Sequence, residues 1–316
     1  MTIPDAEPPG TERDERADAL RRQVLSMPFT AHDFRPASAT VKVDVAAGTH
    51  RGASRTSNED HYLVVRLARS QETLATSLSP AEVPAPFEES GYGMLVADGL
   101  GEGGTGSVAS RVALSMMAQL GLEQGRWNLR VDPTIAMEII DRAQEFYART
   151  DAEVYARSLT GPILSGISTS LTAAYSAGDA LFVAHVGHSR AYLFREGTLT
   201  LLTRDSTMAQ DLSTSKGPVP VERRAQDLQH ILTDAVGANA SAPKVSVEQF
   251  RLEDGDIVLL CTNGLSDVID DAGIAEVLAR RRQPSEQCAA LTDLARERST
   301  EDDVTVVLAQ YRIPRS

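Results

Sequence analysis

The sequence predicts an α+β sandwich, because antiparallel strands and paired helices occupy separate runs of the chain. Between residues 168 and 203, four apolar segments are separated by short turns at 177–179 and 196–197, which is the pattern of an antiparallel meander. Two apolar runs, at 94–97 and 257–261, have the composition of buried strands.

Two pairs of helices are expected, one pair before the meander and one after it. Their apolar residues recur at i, i+4 spacing. In the second helix, Asp132 is an N-cap residue and Pro133 takes the first helical position. The four segments are about 105–122, 132–157, 271–281 and 285–297.

The remaining segments define the expected domain limits. Residues 1–38 are polar and predict a flexible N-terminal tail, followed by one domain at 39–313. The proline-containing stretch 69–92 predicts a surface loop, and about 208–244 predicts a mobile, flap-like insertion. Further strands are expected at 40–45, 62–67, 245–252 and 304–308.

Composition excludes several classes of function. The 316 residues are 42% hydrophobic and 24% charged, and the net charge of −13 argues against a nucleic-acid or anionic membrane surface. No apolar run approaches the roughly 20 residues of a membrane span, and residues 1–20 lack the apolar core of a secretory signal. Cys261 and Cys288 predict buried free thiols. We therefore expect a cytoplasmic protein.

The stretch from Met94 to Ser110 is the first candidate site. An apolar strand delivers Asp98 into a glycine-rich turn, where the chain can bend and expose carbonyl oxygens beside the carboxylate. Hard divalent cations bind such oxygen groups. An ordinary strand-to-helix turn with a solvated aspartate explains this stretch equally well.

Four polar positions lie at the ends of apolar strands: Asp60, Asp98-Gly99, Asn263-Gly264 and Asp302-Asp303. They converge only if their strands pair with these ends together. Taken alone, the triplet Asn58-Glu59-Asp60 is typical of a solvated turn.

Six motifs follow one another between about residues 42 and 311: Gly52-x-x-Arg55-x-x-Asn58-Glu59-Asp60; Val96-Ala97-Asp98-Gly99-Leu100-Gly101 with Gly106-x-x-Ala109-Ser110; Ala184-His185-Val186-Gly187-His188-Ser189-Arg190-Ala191-Tyr192; Leu202-Thr203-Arg204-Asp205; Gly255-Asp256 with Leu259-Leu260-Cys261-Thr262-Asn263-Gly264-Leu265-Ser266-Asp267; and Asp302-Asp303-Val304-Thr305-Val306-Val307. In this order they resemble the metal-dependent protein serine/threonine phosphatases of type 2C, the PPM-type family. The resemblance implies a central β-sandwich of two mainly antiparallel sheets flanked by helix pairs.

The resemblance also implies two divalent cations, Mn²⁺ or Mg²⁺, at one edge of the sandwich. Asp98 would bridge both ions, the Gly99 carbonyl and Asp60 would hold one, and Asp302 would hold the other together with position 263. The ions would convert a bridging water into a hydroxide that attacks phosphorus in line. Arg55 would grip the phosphate oxygens.

Two positions depart from the family pattern. Asn263 replaces a metal-binding aspartate, so the site loses one negative charge but keeps a carbonyl oxygen. His188 replaces an aspartate associated with a weaker third ion; a nitrogen ligand suits Mn²⁺ better than Mg²⁺, and a structural histidine on a strand is an equal alternative. Asp303, where the family has asparagine, would restore the charge only if its side chain pointed inward.

Two functions remain open at this point. The first is an active, monomeric phosphatase that removes phosphate from phosphoserine and phosphothreonine of proteins, opposing a serine/threonine kinase. The second is a catalytically weak or inactive pseudophosphatase that binds phosphoproteins as a regulatory module, motivated by Asn263 and His188. A small-molecule phosphatase is a weaker third interpretation. Neither nucleic acid nor a membrane is an expected partner.

Overall fold

Ten strands in two five-stranded sheets organise the chain in a computed structural model that describes residues 36–79, 82–214, 228–280 and 282–314. The strands are β1 (Lys42–His50), β2 (Asp60–Gln71), β3 (Phe87–Leu100), β4 (Ser168–Ala177), β5 (Ala180–Val186), β6 (Arg190–Arg195), β7 (Thr198–Leu201), β8 (Ser246–Arg251), β9 (Ile257–Cys261) and β10 (Val304–Arg312).

Six α-helices accompany the sheets within the described ranges. They are α1 (Gly106–Glu123), α2 (Pro133–Ser158), α3 (Met208–Thr214), α4 (Asn263–Ser266), α5 (Asp271–Ala279) and α6 (Pro284–Glu297). Helix α2 begins as predicted, because the Asp132 side chain accepts a hydrogen bond from the backbone N–H of Ile135 and Pro133 follows the cap.

Sheet A has the strand order β1-β10-β9-β6-β7, and sheet B has the order β2-β3-β4-β5-β8. The pairing is antiparallel, as between β3 and β4, where Asp98 lies opposite Ser170. The two sheets pack face to face through Met94 and Val96 of β3, Val258 and Leu260 of β9, and Val307 of β10.

Residues 94–97 of strand β3 form a continuous apolar run because both faces of the strand are buried there. Met94 and Val96 point into the space between the sheets, whereas Leu95 and Ala97 pack under α1 and α2. Helices α5 and α6 cover sheet A in the same way. The predicted α+β sandwich with flanking helix pairs is confirmed.

The predicted surface loop at 69–92 is too long at both ends. Strand β2 continues to Gln71 and β3 begins at Phe87. The prediction places the end of the loop too late because the charged residue Glu89 lies in β3, where its fully buried carboxylate accepts hydrogen bonds from Ser38, Arg69 and Arg130.

The chain divides into two compact units. One comprises residues 36–69 and 88–316, and it holds the sandwich core and the helices. The other comprises residues 1–35 and 70–87; in its described part the backbone N–H and hydroxyl of Ser79 both donate to the Glu82 carboxylate, at 2.9 and 2.8 Å.

Two predicted segments fall largely or partly outside the described residues. Of the N-terminal tail at 1–38, residues 1–35 lie outside. Of the flap-like insertion at 208–244, residues 215–227 lie outside, and the described portion opens with α3.

Two predictions from composition can also be compared with the structure. Cys261 and Cys288 are buried free thiols, as predicted. Among the helices of the described ranges, none combines the length and apolarity needed to cross a bilayer.

Candidate metal centre

Both sheets contribute to the candidate site. Asp60 opens β2 and Asp98 lies near the end of β3 in sheet B, whereas Asn263 follows β9 and Asp302 precedes β10 in sheet A. The Thr262 hydroxyl donates to Asp60 Oδ2 at 2.7 Å and so connects the end of β9 to the start of β2. The structure thus brings together the four strand ends that the sequence analysis singled out.

The glycine-rich turn allows β3 and the start of α1 to touch. A Cβ atom on Gly99 would lie 2.2 Å from the carbonyl oxygen of Gly106, and one on Gly106 would lie 2.5 Å from the backbone of Gly99. No side chain fits at either position. Glu59 completes this junction, because its carboxylate accepts from the Gly106 N–H at 2.7 Å and its carbonyl accepts from the Gly99 N–H.

The Asp98 carboxyl group is buried and lies among other carboxylates. It is 4% exposed, and among the described residues its Oδ2 atom has no hydrogen-bond partner. Burial raises its pKa well above the ordinary value, and the neighbouring carboxylates of Asp60 and Asp302 raise it further. Burial likewise raises the pKa of Asp60 to about 7. Such a cluster of buried, mutually repelling carboxylates favours a bound cation.

The amide of Asn263 has a fixed orientation. Its Nδ2 atom donates to Asp267 Oδ2 at 3.2 Å and to Asp302 Oδ2 at 3.3 Å, which leaves the buried Oδ1 atom without a partner in the described part of the chain. Turning the amide over would place its oxygen against two carboxylates. Asn263 therefore presents a neutral oxygen acceptor, as the sequence analysis required of it.

Arg55 lies on the carboxylate of Asp302. Its Nε and Nη2 atoms donate to Asp302 Oδ1 at 2.8 and 2.5 Å, and Nη1 donates to Glu59 Oε2 at 3.0 Å. The Arg55 guanidinium, which is predicted to bind phosphate, therefore lies at the site. There it is hydrogen-bonded to Asp302, which is predicted to bind metal.

His188 lies beside Asp98 at the turn between β5 and β6. Gly187 makes this turn with φ of 107°, where a Cβ atom would clash with Ser170. The Nδ1 atom of His188 is 2.9 Å from the Ser170 hydroxyl and 3.7 Å from Asp98 Oδ2. Burial lowers the pKa of His188 to about 4, so the imidazole is neutral near pH 7.

Asp303 does not restore the charge missing at position 263. Its carboxylate is 2% exposed and accepts hydrogen bonds from the backbone N–H groups of Gly52 and Glu59, at 2.8 and 2.7 Å. Asp303 therefore holds the loop that carries Arg55 against the start of β10.

The interpretation of residues 58–60 as a solvated turn is wrong. Glu59 and Asp60 are 4% and 3% exposed, because Arg55, Gly106 and Thr262 satisfy their carboxylates. Sequence reasoning also missed Asp267. Its position four residues after Asn263 was the available signal, since i, i+4 residues meet on one side of a helical turn.

The oxygen atoms of the site suit a divalent cation, but its acidic side chains do not form a closed set of metal ligands in the described part of the chain. Asp98 Oδ2 and Asn263 Oδ1 are buried oxygen atoms without partners, which is the donor type that Mg²⁺ and Mn²⁺ bind. Within the described ranges, however, no three His, Cys, Asp or Glu side chains form a closed metal-binding cluster. Two features account for this open arrangement. Position 263 carries an amide where a carboxylate would complete the set, and Asp302 is paired with Arg55.

Comparisons with known proteins agree on one family. A family model described as Stage II sporulation protein E (SpoIIE) matches residues 88–312. Serine/threonine protein phosphatase PstP of Mycobacterium tuberculosis is 30% identical over 274 residues, which are 86% of this chain and 46% of PstP. Serine/threonine phosphatase stp of Listeria innocua is 27% identical over 222 residues, covering 70% of this chain and 84% of stp.

A solved structure supports the same assignment. The crystal structure of the catalytic domain of PstP in complex with two manganese ions has a TM-score of 0.65 and 27% identity, covering 86% of this chain and 100% of that domain. This chain therefore spans about half the length of PstP, in the region of its catalytic domain. From the SpoIIE match and the shared fold, the chain belongs to the PPM-type (type 2C) family of metal-dependent protein serine/threonine phosphatases.

Proposed function

We propose that this protein hydrolyses phosphoserine and phosphothreonine in proteins with the help of two divalent cations, Mn²⁺ or Mg²⁺. The observation that carries the proposal is the buried, unpartnered Oδ2 atom of Asp98 among the carboxylates of Asp60 and Asp302. When bound, the cations neutralise the phosphate ester and activate water for attack on phosphorus.

The side chains of the site have separable roles in this proposal. Asp60, Asp98 and Asp302 would hold the cations, with oxygen atoms from Asn263 and the Gly99 carbonyl. A weaker third ion would bind near His188 through the ring nitrogen that does not face Ser170. The neutral state of His188 supports this role, because only an unprotonated nitrogen can act as a ligand.

Arg55 would bind the phosphate. Its guanidinium already presents two N–H groups to one carboxylate oxygen of Asp302, and phosphate oxygens accept the same planar pair of donors. A cation that shares the charge of Asp302 would weaken the Arg55–Asp302 pair. Arg55 would then exchange a carboxylate for a phosphate.

The substrate class and setting complete the proposal. A phosphorylated protein is the substrate, and a serine/threonine kinase supplies it. The protein acts as a monomer, and its predicted location is the cytoplasm. These statements rest on family membership and on the sequence.

The direct test is phosphate release from a phosphothreonine peptide across a Mn²⁺ titration, with Asp98→Ala as the control. We expect turnover that rises with Mn²⁺ and disappears in the variant, because Asp98 is central to the carboxylate cluster. Equal silence of both proteins at millimolar Mn²⁺ would reject the enzymatic proposal.

A pseudophosphatase that binds phosphoproteins is the second candidate. It is favoured by the amide at position 263, by His188 and by the ion pair that occupies Arg55 and Asp302. Metal stoichiometry distinguishes the two candidates. A phosphatase binds at least two ions per chain in calorimetry, whereas a pseudophosphatase binds one ion or none.

Asn263→Asp should tighten Mn²⁺ binding. An added carboxylate next to Asp302 raises the ligand charge of the site, and we expect the dissociation constant to fall roughly tenfold. Isothermal titration with Mn²⁺ measures the change. Asn263→Ala, which removes the Oδ1 acceptor, should weaken binding; unchanged affinity in both variants would show that position 263 is not a ligand.

A further inference from the structure

A cavity lies on the face of sheet B that is opposite the sheet–sheet core. It measures about 180 Å³, opens to solvent, and is lined by strands β2 to β5, strand β8, helices α1 and α2, and the loop between those helices. Its walls are mainly apolar and include Leu95, Met117, Phe146 and Val247. The cavity lies outside the candidate metal centre and shares no residue with it.

The size of this cavity limits what it can hold. An engineered cavity of about 150 Å³ lined by apolar side chains stays dry and binds benzene. Small residues create the space here: Gly93, Gly121, Ala143 and Ala173 all line it, and a Cβ atom added at Gly121 would meet nothing within 4 Å. The cavity therefore accommodates a benzene-sized apolar group.

Three of the polar side chains that line this cavity carry N–H donors. Arg126 and Arg142 line it, and neither makes an ion pair within the described ranges, although the chain carries a net charge of −13. Asn128 also lines it; its backbone carbonyl accepts from Tyr175, but its Nδ2 atom is a buried donor without a partner among the described residues. All three side chains offer N–H donors, and none of the three has an ion-pair or hydrogen-bond acceptor for these donors among the described residues.

We propose that this cavity is a binding site for a small amphipathic anion, with a benzene-sized apolar body and a single carboxylate head. The apolar walls bury the body, while Arg126, Arg142 and Asn128 face the carboxylate. The buried amide donor of Asn128 is costly without an acceptor, and a carboxylate accepts hydrogen bonds both from an amide and from the guanidinium groups of arginine. A neutral amide of the same shape keeps one carbonyl acceptor but lacks the negative charge that favours a position beside the two arginines.

The chain carries its own reporter for this site. Trp127 is the only tryptophan of the sequence, it lines the cavity, and it is 38% exposed. A titration of tryptophan fluorescence with 3-phenylpropionate, set against its uncharged analogue 3-phenylpropionamide, therefore measures occupancy directly. We expect a saturable change with the carboxylate, at a dissociation constant roughly tenfold below that of the amide.

Three variants test the proposed contacts. Arg142→Gln should remove the preference for the carboxylate, and Gly121→Leu should abolish the saturable change by filling the space. Gly121→Leu is expected to fold, because replacing a glycine within a helix raises helix propensity. Arg149→Gln is the matched control: it removes the same charge from α2 at an exposed position paired with Glu123.

Each of three results would overturn the proposal. They are a wild-type protein without a saturable change, equal affinity for carboxylate and amide, and a loss of preference in Arg149→Gln as large as in Arg142→Gln. The measurement needs neither metal nor phosphatase activity, so its failure is independent of the proposed function.

Discussion

Asp98→Asn is expected to abolish phosphate release and, at the same time, to stabilise the metal-free protein. The substitution removes the carboxylate that is proposed to hold the cations, and on that proposal we expect turnover to fall roughly 1,000-fold or more. In the absence of metal the same substitution removes a buried carboxyl group whose ionisation is unfavourable and whose Oδ2 atom has no hydrogen-bond partner among the described residues. We expect the melting temperature in EDTA to rise by at least about 2 °C, the shift that about 1 kcal/mol produces in a domain of this size.

The pH dependence follows from the direction of the pKa shifts. Burial raises the pKa of Asp98 well above its ordinary value and that of Asp60 to about 7, so the folded metal-free protein holds these protons more tightly than the unfolded chain does. Its stability therefore falls as the pH rises from about 4 to about 7. The stabilisation by Asp98→Asn should be small near pH 4 and should grow towards pH 7.

Thermal unfolding of both proteins in EDTA, followed across this pH range, measures the effect. Asp141→Asn is a suitable control, because Asp141 is exposed on α2 and distant from the carboxylate cluster. A destabilised Asp98→Asn variant at pH 7 would contradict the idea that the metal-free site carries repelling charge.

Asp303→Ala should be among the most destabilising substitutions in the candidate site. It would leave the buried backbone N–H groups of Gly52 and Glu59 without an acceptor. Each lost hydrogen bond to a buried donor costs about 1–3 kcal/mol, so we expect the free energy of unfolding to fall by about 2–5 kcal/mol. The loop carrying Arg55 would lose two of its hydrogen bonds to the segment that precedes β10, and the Michaelis constant for a phosphopeptide should rise.

Denaturant unfolding measures the loss of stability, with Asp303→Asn as the graded comparison. The asparagine keeps one oxygen acceptor but directs an NH₂ group at the second backbone donor, so its effect should be intermediate. A variant Asp303→Ala as stable as the parent protein would show that water replaces the carboxylate at both amides.

The sequence was most informative where a pattern reflects local physics. The meander follows from apolar segments separated by short turns, and the helix capped by Asp132 follows from capping chemistry. The doubly buried part of strand β3 follows from its apolar content. The same reasoning led to Asp60, Asp98, Asn263 and Asp302, because each lies where an apolar strand begins or ends.

The sequence was least informative where a polar residue is buried against a partner far along the chain. The Asp303 carboxylate accepts a hydrogen bond from the backbone N–H of Glu59, which lies 244 residues earlier in the chain. The Glu89 carboxylate accepts hydrogen bonds from Arg69 and Arg130. Composition assigns such residues to solvent, since nothing local identifies their partners. The orientation of the Asn263 amide is likewise set by Asp267 and Asp302, of which only the first lies nearby.

The division of the site between the two sheets has a mechanical consequence. Asp60 and Asp98 belong to one layer of the sandwich, and Asn263 and Asp302 belong to the other. Any cation held jointly by these residues is a cross-link between the layers, and the sheets cannot part without releasing it. A ligand at 100 times its dissociation constant adds about 2.7 kcal/mol to the free energy of unfolding. The supply of metal would then govern how long the folded protein persists as well as how fast it works.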